Sequence, residues 1–300
     1  MRVAARGSYA IPFLAAVALW WSATGVILLL DSQDRRTYVA SMAGASTVLA
    51  LALWLVAITS RAATAQSAYV AFACGLVVWG WMLLAFYTGF VTGPNKNACT
   101  PDSGAVSRFM QAVAASLHHE IAAVLGAAAL LALTYGQPNK VALWTYVIVW
   151  LMHSSAKLNL FFGVPNLGAE MFPDHLAFLT SFMACRPMNA FFPVSVTVGT
   201  VVSTLLFLAA LRSGASAFDV AAFAMLGSLM ALAVLEHWFM VVSIDGNALW
   251  RSFRRNRADG PPEAAATVER GLGPPSPPIA PSDASLRSLE SEWTTGEDAA

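Results

Sequence analysis

Charged residues are scarce in this chain of 300 residues. Lys, Arg, Asp and Glu make up 11% of the sequence, and hydrophobic residues make up 57%. Soluble domains contain about 25% charged residues, so this shortage excludes an ordinary soluble domain. The charges are also unevenly placed, because residues 1–258 carry 15 basic and 9 acidic side chains while residues 259–300 carry 2 and 8. The composition predicts a membrane protein with an acidic C-terminal segment.

Several common recognition patterns are absent as well. The three cysteines, Cys74, Cys99 and Cys185, have neither the spacing of a metal site nor an even count. The sequence contains no glycine-rich phosphate loop, no dinucleotide-binding pattern and no internal repeat. Nothing indicates nucleic-acid binding. These absences leave open whether the protein is an enzyme, and they predict no nucleic-acid partner.

Long apolar runs are what the sequence has in quantity. A transmembrane helix needs about 20 apolar residues. Seven runs fit, near 9–30, 38–59, 67–92, 112–134, 141–162, 189–211 and 218–244. The first run is too long for a cleaved signal peptide, and no small-x-small cleavage site precedes "DSQDRR". The predicted fold is an all-α polytopic membrane protein whose seven-helix transmembrane domain covers residues 1–250.

Two segments depart from the alternation of long apolar helices and short loops. The connection 163–188 is too long for a simple loop, and Pro173 suits the first turn of a helix. One apolar stripe follows it, formed by Leu176, Leu179, Phe182 and Met183. We therefore expect a short amphipathic helix in the membrane interface. Residues 251–300 begin with a basic juxtamembrane segment, contain seven prolines between 261 and 281, and predict a disordered acidic tail.

The basic residues of the loops predict the orientation. Seven crossings place the two termini on opposite faces of the membrane. The N-terminal face carries five basic residues, Arg2, Arg6, Arg61, Lys140 and Arg212. The other face carries nine, Arg35, Arg36, Lys96, Arg108, Arg186, Arg251, Arg254, Arg255 and Arg257. The positive-inside rule then places the C-terminus in the cytoplasm and the N-terminus in the periplasm of a bacterial inner membrane.

Histidine is absent before residue 118. The five histidines, His118, His119, His153, His175 and His237, all fall in or just below the predicted cytoplasmic leaflet. Three charged residues accompany them inside the predicted helices, Glu120, Lys157 and Glu236. A charge costs about 2.5–3.5 kcal/mol at a helix centre, so these groups should face the bundle interior and have partners. We expect Lys157 to pair with Glu120 or with Glu236. Such an ion pair would by itself explain these buried charges as structural rather than functional.

A bound metal ion such as iron is one hypothesis for this cluster. Imidazoles and carboxylates are the ligands for it, and the candidates are His118, His119, Glu120, His153, His175, Glu236 and His237. The contiguous pairs in "HHE" and "EH" fan their side chains over about 100–200°, unlike the Glu-x-x-His spacing of di-iron bundles. Such a site would support a membrane metal-dependent oxidoreductase acting on a pigment or a lipid.

A tetrapyrrole pocket is the second hypothesis. A histidine can ligate the magnesium of a chlorophyll where a small residue one turn earlier lets the ring lie close. His118, His119 and His237 fit, since they follow Ala114, Ala115 and Ala233 by four residues, while His153 follows the bulkier Val149. Lys157 would then neutralise a propionate of the pigment. A proton or ion route is the third hypothesis, although repeated halves and broken helices, typical of transporters, are missing.

The same stretches carry a family resemblance. The series "LHHEIA", "PNKVALWTYVIVWLMHSSAKLNLFFGVPN", "CRPMN" with "FFPVSVTV", and "LEHWF" resembles the PuhE-type photosynthetic complex assembly protein 2 family of anoxygenic phototrophic proteobacteria. The resemblance covers about residues 8–250, and "SAKLN" and "GVPN" are its most distinctive parts.

The resemblance implies a function but no catalytic residues. The family is associated with reaction-centre genes and is taken to help assemble reaction-centre or light-harvesting complexes or to supply their bacteriochlorophyll. It implies that photosynthetic subunits, bacteriochlorophyll or a pigment precursor are the partners of this chain, in the inner or intracytoplasmic membrane. The acidic, proline-rich tail looks like an addition to the family pattern.

Overall fold

Seven α-helices form the described part of the molecule in a computed structural model, which describes residues 2–101, 103–169 and 172–242, with residues 2–8 as backbone only. The helices are α1 (Arg2–Asp31), α2 (Tyr38–Thr59), α3 (Ala65–Tyr87), α4 (Ala105–Thr134), α5 (Val141–Phe162), α6 (Phe191–Ala210) and α7 (Ala217–Phe239). The 3₁₀ helices Arg35–Thr37 and Asp174–Phe182 lie in the connections. The predicted basic segment and tail at 251–300 fall outside the described residues.

The fold is that of a polytopic membrane protein. Six of the described helices are long and apolar enough to cross a membrane by length and composition. The other helix, α5, has 22 residues, but its sequence includes His153, Lys157 and Asn159, which lower its hydropathy. The apolar face of each helix that borders lipid needs no protein partner, because lipid and Leu are equally apolar.

The predicted helix bounds agree with the observed ones for α2 and α5, differ by one or two residues for α6, and differ by more at the starts of α1 and α4 and at the ends of α3 and α7. Helix α4 begins at Ala105 rather than 112, because the charged Arg108 is accommodated inside it by donating to the carbonyl oxygens of Phe161 and Phe182. Helix α3 ends at Tyr87 rather than 92, since Gly89 adopts a positive φ of 83° that stops the helix. The connection 163–188 contains a 3₁₀ helix that buries Leu176 and Phe182.

Helices α3 and α7 form the centre of the bundle. In α3 and in α7, 61% of the most apolar 18-residue stretch is buried inside the protein, whereas in α1 only 11% of the corresponding stretch is buried. Helix α3 packs against α1, α2, α4, α5 and α7. Its approach to α5 depends on Gly75, where a Cβ atom would lie 2.7 Å from the Ala142 carbonyl oxygen and 2.8 Å from Thr145 Cβ. A side chain there would force these two helices apart.

Asparagines tie the helix ends together. At one end of the bundle, Asn139 donates to the carbonyl oxygens of Thr59 and Ser67 and accepts from the Val141 N–H, which links α2, α3 and α5. At the opposite end, where α5 finishes, Asn189 caps the first turn of α6 by accepting from the N–H groups of Phe191 and Phe192.

The end of the bundle where α5 finishes also holds the connection 163–190. Asn189 donates to Asn159 and to the Gly163 carbonyl oxygen, which fastens α6 to α5. Asn166 donates to the carbonyl oxygens of Phe239 and Val242, which fastens the same connection to the end of α7. These contacts hold the ends of α5, α6 and α7 together through one connection.

Candidate functional site

Lys157 on α5 and Glu120 on α4 form an ion pair, so the structure selects Glu120 of the two predicted partners. Each side chain is 31% exposed. The pair therefore joins α4 to α5 and is partly buried. Opposite charges that meet inside a bundle offset the cost that each of them would carry alone.

His119 and His153 lie next to this ion pair and against each other. Their ring centroids are 5.9 Å apart, and Trp79 contacts both at 6.1 and 5.3 Å. Phe86 packs on His119 at 4.8 Å. Helices α3, α4 and α5 thus bring two imidazoles together inside an aromatic shell.

The segment after α3 positions His119. The backbone N–H of His119 donates to the Thr92 carbonyl oxygen at 2.9 Å, and the Asn95 N–H donates to the Ala114 carbonyl oxygen at 3.4 Å. Gly93 lies so close to α4 that a Cβ there would overlap the Ala114 carbonyl group. Because α4 starts at Ala105, His119 lies about four turns into the helix, rather than about two turns in, as the predicted start at 112 implies.

Both imidazoles of this pair carry unsatisfied nitrogens within the described residues. His119 is 1% exposed, and neither of its ring nitrogens has a hydrogen-bond partner there, nor does Nε2 of His153. An unsatisfied buried polar atom costs about 1–3 kcal/mol. Such atoms in a native protein call for a water, an ion or a ligand.

His237 on α7 is, in contrast, fully hydrogen-bonded. Its Nδ1–H donates to the Ala233 carbonyl oxygen at 2.8 Å, because a carbonyl oxygen only accepts. Its Nε2 lies 3.0 Å from Ser155 Oγ on α5, and in a neutral ring that nitrogen accepts from the hydroxyl. His237 therefore holds α7 against α5.

A cavity of about 340 Å³ opens between α1, α3, α5 and α7. Its walls are mainly apolar and aromatic, with contributions from Trp20, Trp79 and Tyr87. The polar groups that line it include His153, His237 and Glu236. Ligand pockets have this composition and occupy about 300–1,000 Å³.

The remaining predicted site residues lie apart. His118 is exposed on the outer side of α4, while its neighbour His119 is buried. His175 lies in the 3₁₀ helix beside Tyr38, at 6.3 Å between ring centroids, and close to Gly89. Within the described residues, no three His, Cys, Asp or Glu side chains are grouped so that they could hold a metal ion. The seven predicted metal ligands are therefore not assembled into one centre there.

Four structural asparagines were not predicted. Asn139, Asn159, Asn166 and Asn189 stand in "PNK", "AKLN", "GVPN" and "CRPMN", the same motifs that carry the family resemblance. Each bonds groups of other elements, as described above for Asn139, Asn166 and Asn189, and Asn159 donates to Ser195 Oγ. Their position beside proline or at a helix end was the available signal, because such asparagines commonly cap helices or form turns.

The helices and this site define a class of multi-pass membrane protein with a polar cluster beside an apolar cavity. The sequence matches the DUF3623 family, described as a protein of unknown function, over residues 7–260, and the chain belongs to that family. It is 34% identical over 241 residues to a protein of Rhodobacter capsulatus described as an uncharacterized 30.4 kDa protein in the puhA 5′ region. The alignment covers 79% of this chain and 88% of that relative. No solved structure matches the chain.

Proposed function

We propose that this chain is a PuhE-type integral membrane factor that assists the assembly of reaction-centre or light-harvesting complexes or supplies bacteriochlorophyll to them. The observation that carries the proposal is the relative in the puhA 5′ region, with which the chain shares 34% identity. It agrees with the association of PuhE-type proteins with reaction-centre genes. The protein would act in the inner or intracytoplasmic membrane, with its N-terminus in the periplasm and its C-terminus in the cytoplasm.

The cavity supports a role in pigment handling. It lies between four helices, it is lined mainly by apolar side chains, and it includes a small number of polar groups. This combination suits an apolar ligand that is oriented by a few specific contacts. The alternative function, a metal-dependent oxidoreductase, has less support. The described residues do not bring three potential metal ligands together.

Purification from a native phototrophic membrane tests the proposal. We expect the full chain, isolated in a mild detergent, to carry a bacteriochlorophyll-type absorption spectrum or to copurify with reaction-centre or light-harvesting subunits. We also expect deletion of the gene to lower the amount of assembled complexes, and the wild-type chain to restore it.

A matched pair of variants separates the cavity from the rest of the bundle. Ala23→Phe places a large side chain in the cavity wall, whereas Ala50→Phe adds the same volume at an exposed position of α2. Ala23→Phe should lower pigment content or complex yield, and Ala50→Phe should leave both unchanged. Complexes that assemble normally in the deletion strain would contradict the proposed function.

A further inference from the structure

Glu236 is an acidic side chain that lines the cavity and takes no part in the ion pair between Lys157 and Glu120. The ion pair described above uses Glu120 and Lys157. Glu236 lines the cavity from α7 and is accessible there, and it forms no ion pair or hydrogen bond with another described residue. An unpaired carboxylate among membrane helices is costly, and such residues mark sites of function.

The two imidazoles in the cavity wall are less available to a ligand. Both ring nitrogens of His237 are engaged, one by Ala233 and the other by Ser155. Of the two ring nitrogens of His153, Nε2 is buried. The carboxylate of Glu236 is a charged acceptor that lines the cavity and has no hydrogen-bond or ion-pair partner among the described residues.

The surroundings of Glu236 favour a positively charged group. Among the described residues that line the cavity, none is Lys or Arg. A carboxylate that faces an apolar space without a countercharge creates a negative potential, which a positive centre relieves.

The walls around the carboxylate leave room for a broad ligand. Small residues line the cavity on all four helices, Ala23 on α1, Gly80 on α3, Ala156 on α5 and Ala233 on α7. Ala233 precedes Glu236 by three residues, or about one turn of α7. Residues at this spacing are neighbours on the helix surface, so the small Ala233 side chain leaves space next to the Glu236 carboxylate. A flat apolar body can therefore lie against α7 with its centre facing Glu236.

We infer that this cavity binds an apolar ligand through a positive centre and that Glu236 is the group that meets it. Magnesium is a hard cation that prefers oxygen ligands to nitrogen ligands. If the proposed function holds, on which this identification rests, the ligand is a magnesium-bearing tetrapyrrole and Glu236 supplies its axial oxygen. The assignment replaces the histidines that the sequence pattern favoured.

Binding of three probes to the full-length protein in detergent tests the inference. The probes are bacteriochlorophyll, the same ring without magnesium, and a long-chain alkyltrimethylammonium ion, which has a positive centre but no ring. We expect bacteriochlorophyll to bind about tenfold or more tightly than the metal-free ring, a difference of about 1.4 kcal/mol. Glu236→Gln should abolish that preference, whereas Glu120→Gln, which removes a carboxylate outside the cavity wall, should retain it.

The outcomes test separately the role of Glu236, the preference for a positive centre and the identity of the ligand. Equal affinity of the wild-type protein for both rings, or an unchanged preference in Glu236→Gln, overturns the role of Glu236. Glu236→Asp keeps the charge and should keep part of the preference, so a folding defect in the glutamine variant does not decide the result. Binding of the ammonium ion alone, lost in Glu236→Gln, supports the positive-centre site and contradicts the pigment. Failure of all three probes overturns the inference, while the assembly role is still judged by complex yield in the deletion strain.

Discussion

The ion pair between Lys157 and Glu120 leads to a quantitative prediction. Lys157→Met and Glu120→Gln each remove one charge and keep most of the side-chain volume. Exposed pairs contribute about 0–1 kcal/mol, and breaking a fully buried pair costs about 3–5 kcal/mol. At 31% exposure of both side chains, each single variant should lose about 2 kcal/mol of unfolding free energy, because it leaves the other charge alone between helices.

The double variant should lose about 2 kcal/mol as well, rather than the sum of about 4 kcal/mol expected of independent sites. The coupling energy is then about 2 kcal/mol. The assay is reversible unfolding in mixed detergent and SDS micelles, followed by circular dichroism for all four proteins of the cycle. Lys157→Met combined with Glu236→Gln is the control, and it should be additive because Glu236 does not pair with Lys157. Coupling below about 0.5 kcal/mol between Lys157 and Glu120 would refute the reasoning.

Three further predictions concern packing, the asparagine contacts and topology. Gly75→Ala should destabilise the protein by about 1–3 kcal/mol through overpacking against α5, whereas Gly44→Ala, with nothing within 4 Å, should not; chemical unfolding of both variants checks this. Asn189→Ala should cost about 3 kcal/mol because it removes two accepted bonds and an NH2 group whose two hydrogens are shared among three oxygen atoms, and Asn189→Asp, which keeps the cap, should cost less; equal losses would contradict this. In sealed vesicles, a membrane-impermeant thiol reagent should label the exposed Cys185 from the cytoplasmic side and leave the buried Cys74 unlabelled; labelling from the periplasmic side would reverse the proposed orientation.

The helices were predictable because apolar length determines them. Helices α2 and α5 begin and end where the sequence predicts, and the errors at α3 and α4 have local causes. Arg108 ends an apolar run in the sequence, but it is satisfied by carbonyl oxygens contributed by residues 53 and 74 positions away. Hydropathy along the chain contains no information about such distant partners.

The candidate site was predictable in its composition and less so in its geometry. Intramembrane charge identified Lys157 and Glu236 as residues of interest, but only the packing of α4 against α5 shows which glutamate is paired. Sequence spacing assigned His118 and His119 equal value, although one faces outward and the other is buried. Two adjacent residues on a helix point about 100° apart, and the direction that faces the bundle depends on tertiary packing.

The asparagine contacts have a consequence for how a ligand reaches the cavity. Helix α5 is fixed at its start by Asn139 and at its finish by Asn189, and the end of α7 is held by Asn166. Helix α1, the least buried of the six candidate membrane spans, forms another wall of the cavity. Among the described residues, no asparagine side chain fixes an end of α1 in the way that Asn139, Asn166 and Asn189 fix the ends of α5 and α7. We therefore expect a ligand from the bilayer to enter past α1, while the polar groups on α5 and α7 stay in place.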